Sequence, residues 1–263
     1  MMACMGGYYK YNFKYSDELS IAILSEDRDK VDELLSWKLG NVNSVRSPLY
    51  GFSRIIDFQN FYPLQIAARS DLDTVNKLLK KGARVNVVDP YVHSTPVICA
   101  LESNLGERYE IAEIFIKKGA DIDIVDDINR TALNSVVKVF DTDTEEERKK
   151  GVWLLDYLLK NCKDIQELEE KSGSTPLFMA AGYNNVDAVK YLIENNYYDV
   201  NSQVNGMTIL MKAAQRGACE TCEYLLNKDA NLEIVSSDWK TAYDFAKENG
   251  NETICKLLEQ ASK

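Results

Sequence analysis

Apolar and small residues recur along the chain in pairs of short segments. In one well-marked pair the first segment is Leu64-Gln65-Ile66-Ala67-Ala68 and the second contains Leu78-Leu79. Apolar positions that repeat three and four residues apart indicate helices with one buried face. The pattern therefore predicts pairs of short amphipathic helices that pack on one another, and we find no apolar run long enough to span a bilayer.

The pairs return at a regular spacing, measured from a threonine-like position at the start of each pair. Those positions are Asp17, Tyr62, Thr95, Thr131, Thr175, Thr208 and Thr241. Three of the six differences between successive starts equal 33 residues, and the others, 45, 36 and 44, equal 33 plus an insertion. A fixed period of this length is typical of a repeat protein, in which neighbouring units bury one another's apolar faces.

The ends of the predicted helices carry their own signals. Thr95 and Thr175 can cap a helix with their hydroxyl groups, and Pro96 and Pro176 follow at the first helical position, where no amide donor is needed. After the second helix of a pair, glycine residues such as Gly82 suit the left-handed conformation that ends a helix.

Two residues before the threonine position, most units carry a residue that tolerates positive φ: Asn60, Asn129, Gly173 and Gly206. We therefore expect one turn geometry to recur between units. His93 and Trp239 occupy this position in two other units. Either the turn forces a bulky side chain into an unfavourable conformation for the sake of binding, or these two turns have another shape. For Trp239 a further hypothesis is that the ring packs on the last repeat.

The period, the helix start and the Gly-Ala-Asp-Val-Asn-like ending together closely resemble the ankyrin repeat, over roughly residues 16–260. The resemblance implies an all-α fold, an ankyrin-repeat solenoid of about seven helix–turn–helix units with short β-turn fingers. It places residues 1–15 in an N-terminal extension, 16–260 in a single repeat domain and 261–263 in a C-terminal tail. Polar residues on the first and last helices are typical of capping units, so we expect a whole array.

The chain departs from the family at one position of each repeat. The family's histidine after Thr-Pro-Leu, which hydrogen-bonds within its own motif, is replaced here by Gln65, Ile98, Asn134, Phe178, Met211 and Asp244. We therefore expect this bond to be missing throughout and the array to be less stable than a consensus one.

Insertions interrupt the array at 44–58, 105–109 and 141–150. The first is rich in apolar residues, and it either folds over an exposed repeat edge or forms a finger that holds a partner. The second is predicted to lengthen a turn between helices. The third contains Thr144 and Glu147, which match a capping box and predict an N-terminal extension of the second helix of its unit. That extension is expected to be solvated, and a charged docking surface is the alternative.

Charge and cysteine content narrow the function classes. The formal net charge of −10 argues against unspecific binding to nucleic acid and favours a partner with a basic surface. The first seven residues lack the basic start and apolar core of a secretion signal. The six cysteines, most of them far apart in sequence, are expected to be reduced thiols. We expect a cytoplasmic monomer that binds neither nucleic acid nor membranes, and secretion into a host cell stays open.

Little in the sequence points to catalysis. His93 is the single histidine, predicted at an exposed turn, whereas Cys99 falls on an inward position of the next helix. Cys219 and Cys222 have the spacing of a zinc or redox half-site, but no second pair exists, so we expect both to be buried and structural. The sequence predicts no catalytic residue, no cofactor and no metal site.

The function predicted is that of a protein-interaction scaffold, with a regulatory inhibitor or host-directed effector as one alternative and an enzyme or a metal or small-molecule binder as another. In the proteins that the chain resembles, partners dock on the fingers and on the exposed end of each first helix. Carried over by position, the candidate partner-binding residues are Phe58, Phe61, Tyr91, Val92, Ile128, Arg130, Lys138, Tyr183, Met207, Arg216, Asp238, Trp239 and Lys240.

Overall fold

The computed structural model describes residues 18–36, 42–43, 62–90, 92–140 and 142–262, and this part of the chain is mostly helical. The elements are α1 (Glu18–Leu24), α2 (Arg28–Ser36), α3 (Pro63–Ala67), α4 (Leu72–Lys80), α5 (Pro96–Leu101), α6 (Arg108–Lys117), α7 (Ala132–Ser135), α8 (Glu145–Asn161), α9 (Ile165–Ser172), α10 (Pro176–Gly182), α11 (Val186–Glu194), β1 (Gln203–Val204), β2 (Met207–Thr208), α12 (Ile209–Arg216), α13 (Cys219–Asn227), α14 (Ala242–Glu248) and α15 (Glu252–Ala261).

The helices pack in pairs, and the pairs pack side by side. The chain divides into two compact units, the first ending at Arg130 and the second beginning at Thr131. In the first unit α1, α3 and α5 form a row of inner helices, each packed on the next. In the second unit α7, α10, α12 and α14 form such a row, while α8, α11, α13 and α15 form the outer row. The predicted all-α repeat fold is confirmed.

Threonine side chains start most of the inner helices. The hydroxyl of Thr95 accepts a hydrogen bond from the amide of Ile98, and that of Thr175 accepts one from Phe178. The same cap is formed at Thr131, Thr208 and Thr241. The predicted caps are therefore confirmed, and each contributes about 1 kcal/mol to the stability of its helix.

Alanine lets the inner helices approach closely. Ala67 and Ala180 are fully buried, as are Leu78 on α4 and Leu192 on α11. Each buried leucine contributes about 1.5–3 kcal/mol, and a larger side chain at an alanine position would overpack the contact at a cost of about 1–3 kcal/mol. The small and large positions of the repeat thus place the core between the two rows of helices.

The position of the family's histidine still carries hydrogen bonds in this chain. Gln65 Nε2 donates to the carbonyl oxygen of Ser94 at 2.7 Å, and Gln65 Oε1 accepts from the amide of Tyr62 at 2.9 Å. Asp244 Oδ2 accepts from the amide and the hydroxyl of Thr241 at 2.9 and 2.7 Å. The expectation that such bonds are missing throughout is wrong here, because amides and carboxylates offer the acceptors, and amides also the donors, that an imidazole would supply.

Asparagine side chains fasten one repeat to the next. Asn43 Nδ2 donates to the carbonyl oxygen of Gly82 at 3.0 Å, and Asn43 Oδ1 accepts from the amide of Arg84 at 2.8 Å. Asn86 binds the backbone of Gly119 and Asp121 in the same way. We call these contacts the asparagine joints. In the second unit, Asn201 Oδ1 likewise accepts a hydrogen bond from the amide of Asn231.

The interruptions differ in part from their predicted form. Helix α6 begins at Arg108 and the loop before it covers residues 102–107, so the predicted 105–109 insertion overlaps this loop but its last two residues belong to the helix. The buried side chains of Arg108 and Tyr109 pull these residues into the helix. The capping box at Thr144 and Glu147 is present and starts the 17-residue helix α8. Helix α9, which the sequence analysis did not foresee, occupies the place of a finger, and the 44–58 insertion lies outside the described residues.

Candidate partner-binding surface

Short turns join successive helix pairs in the described part of the chain. We call them the first finger (89–90 and 92–94), the second finger (126–130), the third finger (203–208) and the fourth finger (236–240). The first two belong to the first unit and the last two to the second unit.

Buried polar residues at the base hold three of the fingers in shape. Asp126 Oδ1 accepts from the amide of Arg130 at 2.8 Å, and Ser236 Oγ accepts from the amide of Lys240 at 3.3 Å. Asp89 does the same in the first finger. Such side-chain-to-backbone bonds stabilise a turn without a strand partner. The sequence analysis missed these residues, although an Asp or Ser five or six positions before the threonine was a visible signal.

The first and second fingers touch. The carbonyl oxygen of Val92 accepts from the amide of Asp127 at 2.8 Å, and His93 Nδ1 lies 2.7 Å from Asp127 Oδ2. The hydrogen bond to Asp127 raises the pKa of His93 above its usual value. His93 is exposed, as predicted, but its ring is engaged by a neighbouring finger.

Arg130 braces the second finger from inside. Its Nε donates to Asp126 Oδ2 at 2.7 Å, and its Nη2 donates to Ser94 Oγ at 3.3 Å. Since its Nε and Nη2 atoms already donate hydrogen bonds within the protein, the guanidinium of Arg130 has fewer donors left for a partner than its position in the sequence indicated. Ile128 is the large side chain that this finger leaves in solvent, at 56% exposure.

The third finger is a short β-hairpin with a two-residue turn. Val204 pairs with Met207, and the turn residues Asn205 and Gly206 have φ angles of 50° and 76°. Asn-Gly is the preferred sequence for this turn because both residues must adopt positive φ. Gly206 also permits close contact with the fourth finger, since a Cβ atom there would lie 2.3 Å from Ser237 Oγ.

Trp239 stands at the tip of the fourth finger in a left-handed conformation. Its φ is 60°, close to the 65° of both Asn129 and Gly173, and His93 has a φ of 50°. The hypothesis that the His93 and Trp239 turns have another shape is therefore wrong. The ring is 84% exposed, so it does not pack on the last repeat either. Holding a non-glycine residue in this conformation costs about 1–2 kcal/mol.

The inner helices present further predicted residues. Lys138 follows α7, with Nζ 5.1 Å from the centre of the Phe140 ring, and Tyr183 caps α10. Arg216 is the exposed last residue of α12. In the fourth finger, Asp238 is exposed and Lys240 Nζ binds Glu248 at 2.7 Å.

The comparisons with known proteins agree with the repeat pattern. A family model described as Ankyrin repeats matches residues 19–135, 148–238 and 197–263 in three copies. The chain belongs to the ankyrin-repeat family. Ankyrin repeats are protein–protein interaction modules, and in general the fold is a scaffold without catalytic activity.

Relatives of this ankyrin-repeat chain are much longer proteins. Ankyrin repeat and SAM domain-containing protein 6 of Mus musculus is 30% identical over 113 residues, which cover 38% of this chain and 12% of that protein. The human transient receptor potential cation channel subfamily A member 1 is 26% identical over 187 residues, 69% of this chain and 16% of the channel subunit. The chain thus spans less than a third of the length of these curated relatives.

A solved structure shares the ankyrin fold along most of its length. The crystal structure of EF0377, an ankyrin repeat protein, matches with a TM-score of 0.55 and 26% identity, covering 75% of this chain and 96% of that one. None of the helices in the ranges that the ankyrin chain's structure describes is long and apolar enough to cross a membrane.

Three of the predicted partner-binding residues cannot be placed on the ankyrin surface. Phe58, Phe61 and Tyr91 lie outside the described residues.

Two exposed aromatic residues on α8 were not foreseen. Trp153 is 51% and Tyr157 37% exposed, and their ring centres lie 6.2 Å apart on the outer row of helices. Their four-residue spacing after the charged insertion was a visible signal of one helix face.

The cysteines are free thiols in the described part of the chain. Cys99 and Cys222 are buried, and burial raises the pKa of both, that of Cys222 to about 12. Cys219 is only half-buried, so the expectation that both residues of the pair are buried is wrong for it. Within the described residues, no group of three or more His, Cys, Asp or Glu side chains could hold a metal ion.

Proposed function

We propose that the chain is a protein-interaction module, and that it binds its partner through the fourth finger and the adjoining inner helices of the second unit. The observation that supports this most directly is Trp239, a large aromatic side chain with 84% exposure in a left-handed turn.

The energetics of the turn favour a binding role for Trp239. The same position carries Gly173 and Gly206 in other repeats, which adopt positive φ without steric cost. A tryptophan at this position lowers the stability of the fold by about 1–2 kcal/mol, and because its ring is exposed, packing offsets little of this cost. When a partner buries such a ring, by contrast, truncation of the ring typically costs about 2 kcal/mol or more of binding energy.

The third finger extends the same edge of the second unit. Ser237 packs on Gly206, so the two fingers touch, and Met207 of the hairpin is half-buried. Methionine adapts its shape to apolar partners, and aromatic residues and methionine are enriched at protein interfaces. A partner that covers Trp239 would therefore meet the hairpin beside it.

The proposal includes no catalytic step. His93 is exposed and bound to Asp127, and burial raises the pKa of the Cys99 thiol, which disfavours the reactive thiolate. The free thiols of the described residues suit a reducing compartment, so we place the protein in the cytoplasm.

The test is affinity capture from the source cell with three baits: the wild-type chain, Trp239→Ala and Trp153→Ala. Trp153 is the matched control, since it is also an exposed tryptophan but lies on the outer helix α8. Captured proteins are identified by mass spectrometry, and helicity and melting temperature confirm that each bait is folded.

We expect a protein that the wild type and Trp153→Ala retain and that Trp239→Ala loses. Equal capture by all three baits, or loss only with Trp153→Ala, would place the interface elsewhere. The absence of any captured protein would count against an interaction module altogether.

A further inference from the structure

Two cationic side chains lie close together on the inner face of the second unit. Lys212 and Arg216 are one helical turn apart on α12, and the aliphatic parts of both side chains pack over Gly182 on α10. A Cβ atom on Gly182 would lie 3.1 Å from Lys212 Cε and 3.8 Å from Arg216 Cγ. The absence of a side chain on Gly182 therefore leaves room for both cations over α10.

Lys212 is partly buried in this position. Its Nζ lies 5.1 Å from the centre of the Phe178 ring. Burial, followed by the positive charge of Arg216, lowers the pKa of Lys212 below its usual value. Like charges at four-residue spacing destabilise a helix, so the free chain carries an unfavourable arrangement here.

Neither cation has an ion-pair partner among the described residues, and Lys247 on the neighbouring helix α14 has none either. Several other lysines of the second unit do have one: Lys149 with Glu145, Lys160 with Asp156, Lys171 with Glu167, Lys228 with Glu194 and Lys240 with Glu248.

Carboxylates on and beside this face already have bonds of their own. Asp244 accepts from Thr241 at the start of α14, and Glu248 binds Lys240. Glu220, at the start of α13, accepts from the side chain of Asn184 at 3.3 Å. Asp244 and Glu220 keep their negative charge, but among the described residues neither of them forms an ion pair with Lys212 or Arg216, so these two cations stay unpaired in a chain with a net charge of −10.

We infer that the inner face centred on Lys212 and Arg216 receives an acidic segment of the partner protein. This inference rests on the proposed function and adds the chemistry of the partner. A carboxylate placed between the two side chains would supply the missing counter-charge and remove their mutual repulsion. The half-buried Tyr183, at the C-terminal end of α10, would contact the apolar portion of the segment. The net charge had favoured a basic partner, and the local charge reverses that expectation for this face.

The test is selection of random displayed peptides on the intact, immobilised protein. Four forms are compared: wild type, Lys212→Glu/Arg216→Glu, Trp239→Ala, and the control Lys118→Glu/Lys256→Glu. The control changes the net charge by the same amount at two exposed positions away from the inner face. Helicity and melting temperature are measured for each form, and affinities of selected peptides are measured at low and high salt.

We expect wild type and the control to select acidic peptides whose affinity falls with salt, and the Lys212→Glu/Arg216→Glu form to bind them at least about tenfold more weakly. Neutral or basic peptides that depend only on Trp239 would overturn the inference and leave the proposed function standing. Peptide binding by none of the forms would overturn both. Concentration-dependent dimers that the Lys212→Glu/Arg216→Glu change abolishes would instead assign the face to a second, acidic copy of the chain and overturn the inference.

Discussion

Replacing Trp239 with glycine separates a binding role of the ring from a structural one. With 84% exposure, only about a sixth of the side chain touches the protein. For a ring of about 250 Å² this is roughly 40 Å², and its loss costs about 1 kcal/mol at ~25 cal/mol per Å². Glycine also costs about 0.5–1 kcal/mol in backbone entropy, while it relieves about 1–2 kcal/mol of left-handed conformational energy.

These contributions nearly cancel, so the free energy of unfolding should change by less than about 1 kcal/mol. The melting temperature, measured by circular dichroism, should then move by less than about 4 °C. The affinity for the captured partner, measured by interferometry, should fall by about 2 kcal/mol or more, which is roughly 30-fold.

The matched variant is Trp239→Asn, because Asn129 holds the same turn position with a φ of 65°. It removes the ring without adding the backbone freedom of glycine, and it should lose affinity to the same extent. A fall of more than about 8 °C in either variant, with affinity unchanged, would show that the ring stabilises the finger and would refute the reasoning.

Three further outcomes follow from the described contacts. Burial and a pKa of about 12 protect Cys222, so a thiol reagent at pH 8 should modify it only on unfolding, and rapid modification of the native protein would contradict its burial. The hydrogen bond to Asp127 raises the pKa of His93, so the His93–Asp127 ion pair stabilises the fold fully below about pH 6.5 and progressively less as the pH rises through the raised pKa. Asp127→Asn should therefore lower the free energy of unfolding in urea more at pH 5 than at pH 9, and an equal loss at both would exclude the ion pair. Gly206→Ala should cost more than the about 1–2 kcal/mol of its positive φ because of the contact with Ser237, whereas Gly173→Ala, with open space around it, should show the backbone cost alone; equal losses in denaturation would mean that the serine moves aside.

The repeat fold could be predicted because its signals are local. Thr95 followed by Pro96 favours a helix start and Gly82 favours a helix end, so the caps could be predicted without knowledge of the tertiary structure. The left-handed turn at His93 and Trp239 was likewise predictable from the residues at the same position in other repeats.

Features that depend on contacts between repeats were harder to foresee. Gln65 bonds to a carbonyl group 29 residues away, and only the packed structure shows that it reaches. Arg216 had been predicted as a contact residue, but Lys212 and its pairing with Arg216 were missed, because the pair is brought together over Gly182 of the preceding repeat. Arg130 had been predicted as a contact residue, but its hydrogen bonds to Asp126 and Ser94 depend on the folded geometry and could not be inferred from the sequence pattern.

The asparagine joints bear on how the length of such an array can change. Asn43 recognises a carbonyl and an amide group of the following repeat, not its side chains. Asn86 meets equivalent backbone atoms one repeat later. If a segment of one full period were deleted or duplicated, the asparagine before the break would meet the same pair of backbone groups in its new neighbour. The joint therefore imposes no constraint on the amino acids of that neighbour's surface, and recombination could lengthen or shorten the binding surface in whole repeats while its exposed residues diverge independently.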